Sequence, residues 1–170
     1  THAVGPNPVA GLPAKPTGLA LGTAHSCVLT ETGAVYCFGD NRHKQLGLPN
    51  GGFIQDTPTE AVVFPGDPAI KQIAAGSHHT CGLTRRAGLV LCWGAGNHQQ
   101  IGGAAVDRAE PAPIDTNDLT ASALTKVVSL SLHEDTSCAR QASGSTYCWG
   151  THTYLESTPD TATAEHVGAL

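Results

Sequence analysis

Apolar residues gather in two short runs in the first part of this chain, His25-Ser26-Cys27-Val28-Leu29 and Ala34-Val35-Tyr36-Cys37-Phe38, separated by Thr30-Glu31-Thr32-Gly33. Runs of this length, rich in β-branched and aromatic residues and broken by a glycine-bearing turn, predict a β-hairpin. Counting inward from the cysteines sets Val28 opposite Tyr36 and Leu29 opposite Val35. Cys27 then faces Cys37 directly, where cross-strand Cβ atoms come close enough for a disulfide. The hairpin is apolar on both faces (Val28 and Tyr36, Leu29 and Val35), which suits a sheet covered on both sides.

The pattern recurs twice. Ile73-Ala74-Ala75-Gly76-Ser77-His78-His79-Thr80-Cys81 leads to Gly88-Leu89-Val90-Leu91-Cys92-Trp93-Gly94 and on to Gln100-Ile101-Gly102. The third copy runs Val127-Val128-Ser129-Leu130, Thr136-Ser137-Cys138, then Gly144-Ser145-Thr146-Tyr147-Cys148-Trp149-Gly150. The second cysteine pair is one residue further apart than the others, which predicts a longer turn or a bulge beside Arg85-Arg86. Each hairpin is followed by a variable segment and a short strand-like run, such as Glu60–Phe64 and Ala112–Ile114. Residues 1–18 read as an extended N-terminal segment able to complete a blade. The repeats occupy about 19–69, 70–124 and 125–170. Only Leu119–Leu124 suggests a brief helix, and Pro8–Leu12 a strand end in the same repeat phase as Glu165–Leu170.

Composition supports many short strands. Twenty glycines and 11 prolines accompany only 14% charged residues, a mix suited to turns rather than long helices or disorder. A net charge of −5 and the lack of a basic run argue against nucleic-acid partners, and no apolar stretch is long enough for membrane insertion. Six cysteines in three short-range pairs leave no free thiol and point to an oxidising compartment, secreted, extracellular or periplasmic. The chain starts at Thr1, which a removed signal peptide or simple trimming explains.

The motif Gly-x-x-His-[Ser/Thr]-Cys, then Gly-x-x-[Tyr/Leu]-Cys-[Phe/Trp]-Gly, then Gln-[Leu/Ile]-Gly resembles the regulator-of-chromosome-condensation repeat. More narrowly it is similar to bacterial exported members with a cysteine pair in each repeat. The resemblance covers about residues 19–170 and weakens in the third copy. There Thr136 replaces the histidine, His133 the glycine, and Thr153-Tyr154-Leu155-Glu156 the Gln-Leu-Gly. It implies an all-β fold of propeller-type repeats, three blades in an open arc or partial propeller, with one disulfide per blade. The repeat positions Gly22, His25, Gly33, Gly39, Gly76, His79, Gly88, Trp93, Gly94, Gly144, Trp149 and Gly150 are then structural. Trp93 and Trp149 are expected to pack in the core against the disulfides.

The residues offer little chemistry. No His-x-x-x-His with a glutamate, no Cys-x-x-Cys, no Gly-x-Ser-x-Gly and no phosphate loop occurs. Asp40 and Asp107 read as loop turn-formers. His133-Glu134-Asp135 reads as an exposed variable loop. His25, His43, His78, His79, His98, His133 and His152 are those that folding can bring together. His43 and His98, at similar loop positions, are the candidates for a weak metal or ligand site. No cofactor or catalytic residue is expected, and the chain reads as no enzyme. Guanine-nucleotide exchange, the eukaryotic relatives' activity, fits poorly with an acidic, cysteine-paired chain. Known rings of the family usually have seven blades. Three blades leave two apolar outer faces, and these predict a structural or scaffold protein that self-associates end to end, as a closed ring or a filament. The alternative is a protein-binding or inhibitor module that presents loops from one propeller face.

Overall fold

A computed structural model describes residues 8–61, 69–115 and 123–151, and the backbone of 161–169. Three four-stranded antiparallel meanders succeed one another along the chain. Blade 1 comprises β1 (Pro16–Leu21), β2 (His25–Thr30), β3 (Val35–Asp40) and β4 (Ile54–Glu60). Blade 2 comprises β5 (Ile70–Ala75), β6 (His79–Thr84), β7 (Val90–Gly94) and β8 (Arg108–Pro113). Blade 3 comprises β9 (Val127–His133), β10 (Thr136–Gln141), β11 (Ser145–Gly150) and β12 (Thr161–Ala169). Among the described residues the sheets do not close into a ring.

The three central hairpins have the register expected from their cysteines. Cys27 pairs with Cys37, Val28 with Tyr36 and Leu29 with Val35; Cys81 with Cys92; Cys138 with Cys148. All three pairs are disulfides, and no cysteine is free. The extra residue of repeat two lies in the turn, where Thr84 N donates to Leu89 O, while β6 and β7 keep an unbroken register. It is a longer turn and not a bulge.

The outer strands differ from expectation. β4 ends at Glu60 and begins at Ile54, ahead of the anticipated Glu60–Phe64 run, and residues 62–64 lie outside the described residues. β8 is similarly displaced, covering Arg108–Pro113. Both strands are half exposed and contain proline, so the apolar signal that marks a covered strand is weak there. Pro8–Leu12 forms no strand, and β1 starts at Pro16. The C-terminal run is β12, paired with β11 of its own blade, so the two termini do not share a structural role. The suggested helix at Leu119–Leu124 falls mostly outside the described residues.

Two cores lie between the blades. The first joins Cys27, Leu29, Val35, Cys37 and Ala20 of blade 1 to Ile70, Ile73, Leu91 and Trp93 of blade 2, with Leu46 and Ala61 filling the rim. The second joins Cys81, Leu83, Val90 and Cys92 of blade 2 to Val127, Leu130, Ala139 and Trp149 of blade 3, with Ile101, Ile114 and Leu124 at the rim. At both seams the disulfide face of one blade meets the aromatic face of the next. The tryptophans pack against the disulfide of the preceding blade rather than their own.

Candidate functional site: two filled seams and one uncovered blade face

At both seams the same four groups meet. His25 Nε2 lies 2.9 Å from Thr80 Oγ1, and Thr80 Oγ1 donates to Gln45 O at 3.0 Å. Trp93 Nε1 donates to that same carbonyl at 3.0 Å. One repeat on, His79 Nε2 lies 2.8 Å from Ser137 Oγ. Ser137 Oγ donates to Gln100 O at 3.1 Å and Trp149 Nε1 to Gln100 O at 2.9 Å. A hydroxyl has one hydrogen, and the glutamine carbonyl takes it, so each histidine must be the donor from Nε2. That makes both imidazoles the neutral Nε2–H tautomer. Burial lowers His25 from the usual 6.5 to about 4, with nearby His78 adding to this and Asp40 opposing it. Burial lowers His79 to about 3, with His25 and His78 contributing less.

The histidine and the glycine three residues before it form a unit. A Cβ on Gly22 would sit 2.1 Å from His25 Cε1, and one on Gly76 2.2 Å from His79 Cε1. In repeat three the glycine is His133 and the histidine is Thr136, which donates to Thr151 O. Gly22 and Gly76 are also pressed by the backbone of the next blade, with Gly76 O 2.8 Å and Glu134 O 2.4 Å from a Cβ at those positions; at 133 the ring is gone, and among the described residues no further blade supplies such a carbonyl.

A loop latches each seam from above. Gln45 Oε1 accepts from His43 N, and Gln45 Nε2 donates to Asp40 Oδ2. Gln100 Oε1 accepts from His98 N, and Gln100 Nε2 donates to Asn97 and Asp135. The first loop covers Gly94 and the second Gly150. A Cβ on either glycine would lie 3.2 or 3.1 Å from the Cα of Gln45 or Gln100. Arg42 grips Asp40 through two hydrogen bonds, and this holds the Asp40 carboxyl below its usual range.

The other histidines separate. His43 Nδ1 is 2.9 Å from Asp107 Oδ2, and its ring sits 5.1 Å from that of His78. His98 Nε2 is 3.9 Å from Asp135. His43 and His98 therefore serve successive seams and do not share a site. His133 is exposed beside Glu134, and His152 lies outside the described residues. Among the described residues no three of His, Cys, Asp and Glu are placed to hold a metal. Asp107, expected to be an isolated turn-former, also accepts from Gly96 N and so ties blade 2 to the loop of blade 1.

The aromatic face of blade 1 has no neighbour among the described residues. Register places Leu19 opposite Val28, as Ile73 is opposite Gly82 and Leu130 opposite Ala139. Ile73 and Leu130 are 6% and 7% exposed, whereas Leu19 is 70% exposed and Leu21 71%. Phe38 stands where Trp93 and Trp149 are buried, and Ser26 stands where Thr80 and Ser137 receive their histidines. The opposite end differs. Blade 3 turns outward Arg140 and Thr146, at the positions of the Leu29–Val35 and Leu83–Val90 pairs. Its disulfide is half-buried, while the other four cysteines are fully buried. Only one of the two anticipated apolar outer faces is therefore present at the described positions.

The sequence pattern singles out the histidines, tryptophans and glycines but not Thr80, Ser137, Gln45 or Gln100 as their partners. The signal for those four lies in the constant [Ser/Thr]-Cys and Gln-[Leu/Ile]-Gly positions.

Comparison with known proteins matches residues 32–83, and residues 17–45 and 70–100, to models of the regulator of chromosome condensation (RCC1) repeat. The X-linked retinitis pigmentosa GTPase regulator of Canis lupus familiaris is 41% identical over 98 residues, 57% of this chain and 9% of that protein. The ultraviolet-B receptor UVR8 of Arabidopsis thaliana is 37% identical over 95 residues, 55% of this chain and 21% of that one. Human WBSCR16 superposes with a TM-score of 0.76 at 21% identity, over 90% of this chain and 39% of that chain. Prp20p of Saccharomyces cerevisiae gives 0.73 at 18% identity, over 95% and 41%. The chain spans less than half the length of each of these relatives, and the two structural likenesses speak to the fold alone.

Proposed function

We propose that this chain, which carries repeats of the RCC1 family in propeller blades, is a non-catalytic structural module that associates with other proteins through the uncovered face of blade 1. The observation that carries this reading is the exposure of Leu19 and Leu21, the first of them at a position the fold buries in both other blades. Burying one leucine side chain is worth about 1.5–3 kcal/mol, so this face gains substantially from a partner. A second copy is one such partner, and end-to-end docking into a ring or a filament is the form that self-association takes. The cysteine pair in every blade suits an oxidising compartment and supports a secreted member of the exported, cysteine-paired type. Sedimentation velocity across a concentration series tests the reading. The parent chain is expected to associate, and Leu19→Glu to stay monomeric while keeping its fold. Identical monomeric behaviour of both chains sinks it.

A second reading, binding through the loop face, is favoured by the exposure of Phe53, Ile54 and Val106 on the segments after β3 and before β8. Its check is whether Val106→Ser weakens capture of a native partner that Leu19→Glu leaves untouched. Equal retention by both variants argues against it.

A further inference from the structure

Above the first seam stands a pair of imidazoles that neither the seam network nor the proposed association surface uses. His43 lies on the loop between β3 and β4, and His78 on the segment between β5 and β6, so they come from neighbouring blades. Their ring centroids are 5.1 Å apart and the ring planes are tilted by 46°. Asp107, just before β8, fixes the first ring. Its Oδ1 accepts from Gly96 N at 3.1 Å, and its Oδ2 lies 2.9 Å from His43 Nδ1. Lys44 Nζ donates to its carbonyl at 3.3 Å and steadies it further. An ionised carboxylate only accepts, so His43 Nδ1 is the donor, and in the neutral ring Nε2 carries the lone pair.

His78 contributes a second observation. Its Nδ1 is shut off from solvent and has no hydrogen-bond partner, a condition that costs free energy unless something binds there. His25 and His79 also have an orphaned Nδ1, but theirs are closed in by Gly22 and Gly76 while Nε2 is engaged across the seam. His78 stands beside another imidazole instead. The side chain of His43 is 45% exposed, which leaves an entry path.

We infer that His43 Nε2 and His78 Nδ1 are the two protein ligands of a zinc-type divalent ion that ties blade 1 to blade 2. With Zn–N bonds of about 2.0–2.1 Å, each ring centroid stands about 3.2 Å from the ion, and a tetrahedral angle sets the two centroids about 5.2 Å apart. The observed spacing matches. Asp107 holds the Nδ1–H of a ligating histidine, as the outer carboxylate does in carboxylate–histidine–zinc arrangements. Among the described residues no group of three His, Cys, Asp or Glu is placed to hold a metal, so water completes the coordination and binding is modest. Imidazole nitrogen favours zinc, copper or nickel over magnesium and calcium, which take oxygen.

The second seam lacks the pair. Ala95 N bonds to His78 O and Thr151 N to Asp135 O, so Asp135 is the counterpart of His78. His98 is the counterpart of His43, because the amide of each bonds the Oε1 of the glutamine two residues on. There His98 meets a carboxylate rather than a second imidazole, and Gln100 Nε2 already holds one oxygen of that carboxylate. One ion per chain is therefore expected.

The test uses the full chain, untagged and with its disulfides intact, and zinc chloride as the probe. Isothermal titration calorimetry is expected to show saturable uptake of one zinc per chain and no comparable uptake of magnesium. D107N leaves both ligands in place and is expected to weaken binding by about tenfold to a hundredfold, and H43Q and H78Q by at least as much. H98Q is expected to bind as the parent does. Zinc held only by the folded state is also expected to raise the parent's urea midpoint and to leave that of H78Q unmoved. Long-range proton–nitrogen NMR of the parent requires no variant to fold, and a merely structural role for the pair would not move it. His43 Nε2 and His78 Nδ1 are the nitrogens expected to shift on adding zinc. Absence of saturable uptake overturns the inference. So does uptake that is equal in the parent and in H43Q/H78Q, or shifts confined to other histidines, either of which marks an adventitious ion only.

Discussion

The two seam histidines make a prediction about pH. His25 and His79 are neutral in the folded protein, lowered from the usual 6.5 to about 4 and about 3 chiefly by burial. In the unfolded chain both return to about 6.5. Between those values the unfolded state binds more protons than the folded one, so stability falls as the solution is acidified. It is fully present above the unfolded pKa, begins to drop near pH 6.5, and levels off only below the folded values. From about pH 7.5 to about pH 5, each histidine costs about 1.4 kcal/mol for every unit below 6.5, which is about 2 kcal/mol each and about 4 for the pair. Asp40 acts in a lower window. Its carboxyl is held down by Arg42, so its contribution is retained above the ordinary carboxylate value, about 3.9, and lost only as pH falls through the depressed one.

Urea unfolding at constant ionic strength, with disulfides intact so that the transition is read as two-state, gives the free energy at each pH. The H25Q/H79Q variant is the control. It is expected to be less stable at neutral pH, because Thr80 and Ser137 lose their donors, yet to lose most of the parent's slope between pH 7.5 and 5. A double variant that loses stability on acidification as steeply as the parent refutes the assignment of both imidazoles.

Single contacts set the other expected outcomes. Replacing Cys27 and Cys37 by alanine opens a ring spanning 10 residues of separation and is expected to cost about 2–3 kcal/mol in the same urea assay. Thr80→Val keeps the shape but removes the hydroxyl shared by His25 and Gln45, and should cost about 1–3 kcal/mol. Gly94→Ala places a Cβ 2.6 Å from His78 O and 2.7 Å from His79 Cα, at a φ of 109°, and should cost about 3 kcal/mol. Gly144→Ala, at a φ of 95° with nothing within 4 Å, meets backbone strain alone and should cost about 1–2 kcal/mol. Equal losses at Gly94 and Gly144 would show that close packing is not what constrains Gly94.

Much of each blade is legible in the sequence because its signals are local. The cysteines, the turn glycine and the apolar runs lie within one hairpin, so counting residues yields the register of β2 on β3 and the disulfide. The extra residue beside Arg85-Arg86 is legible for the same reason, but only the register of β6 on β7 shows it to be a longer turn and not a bulge. The outer strands are harder to read. β4 and β8 carry prolines and polar residues, because one edge of each blade faces solvent, and neither strand announces itself by periodicity. The third repeat looks merely degraded as a string of letters. In the fold two of its changes go together: Thr136 sets no ring against His133, and among the described residues no other blade covers the Arg140–Thr146 pair.

By itself the sequence determined that each hairpin has two distinct faces, which residues share a face, and that His25 and His79 play one role. It could not say which face meets which neighbour. Alternation distinguishes the two sides of a strand but carries no information about partners 55 or 58 residues away, the separations of the His25–Thr80 and His79–Ser137 contacts. Only the packing of blade on blade supplied those partners, because desolvation and hydrogen-bond satisfaction act between surfaces far apart along the chain. That packing turned three similar hairpins into an arc with unlike ends.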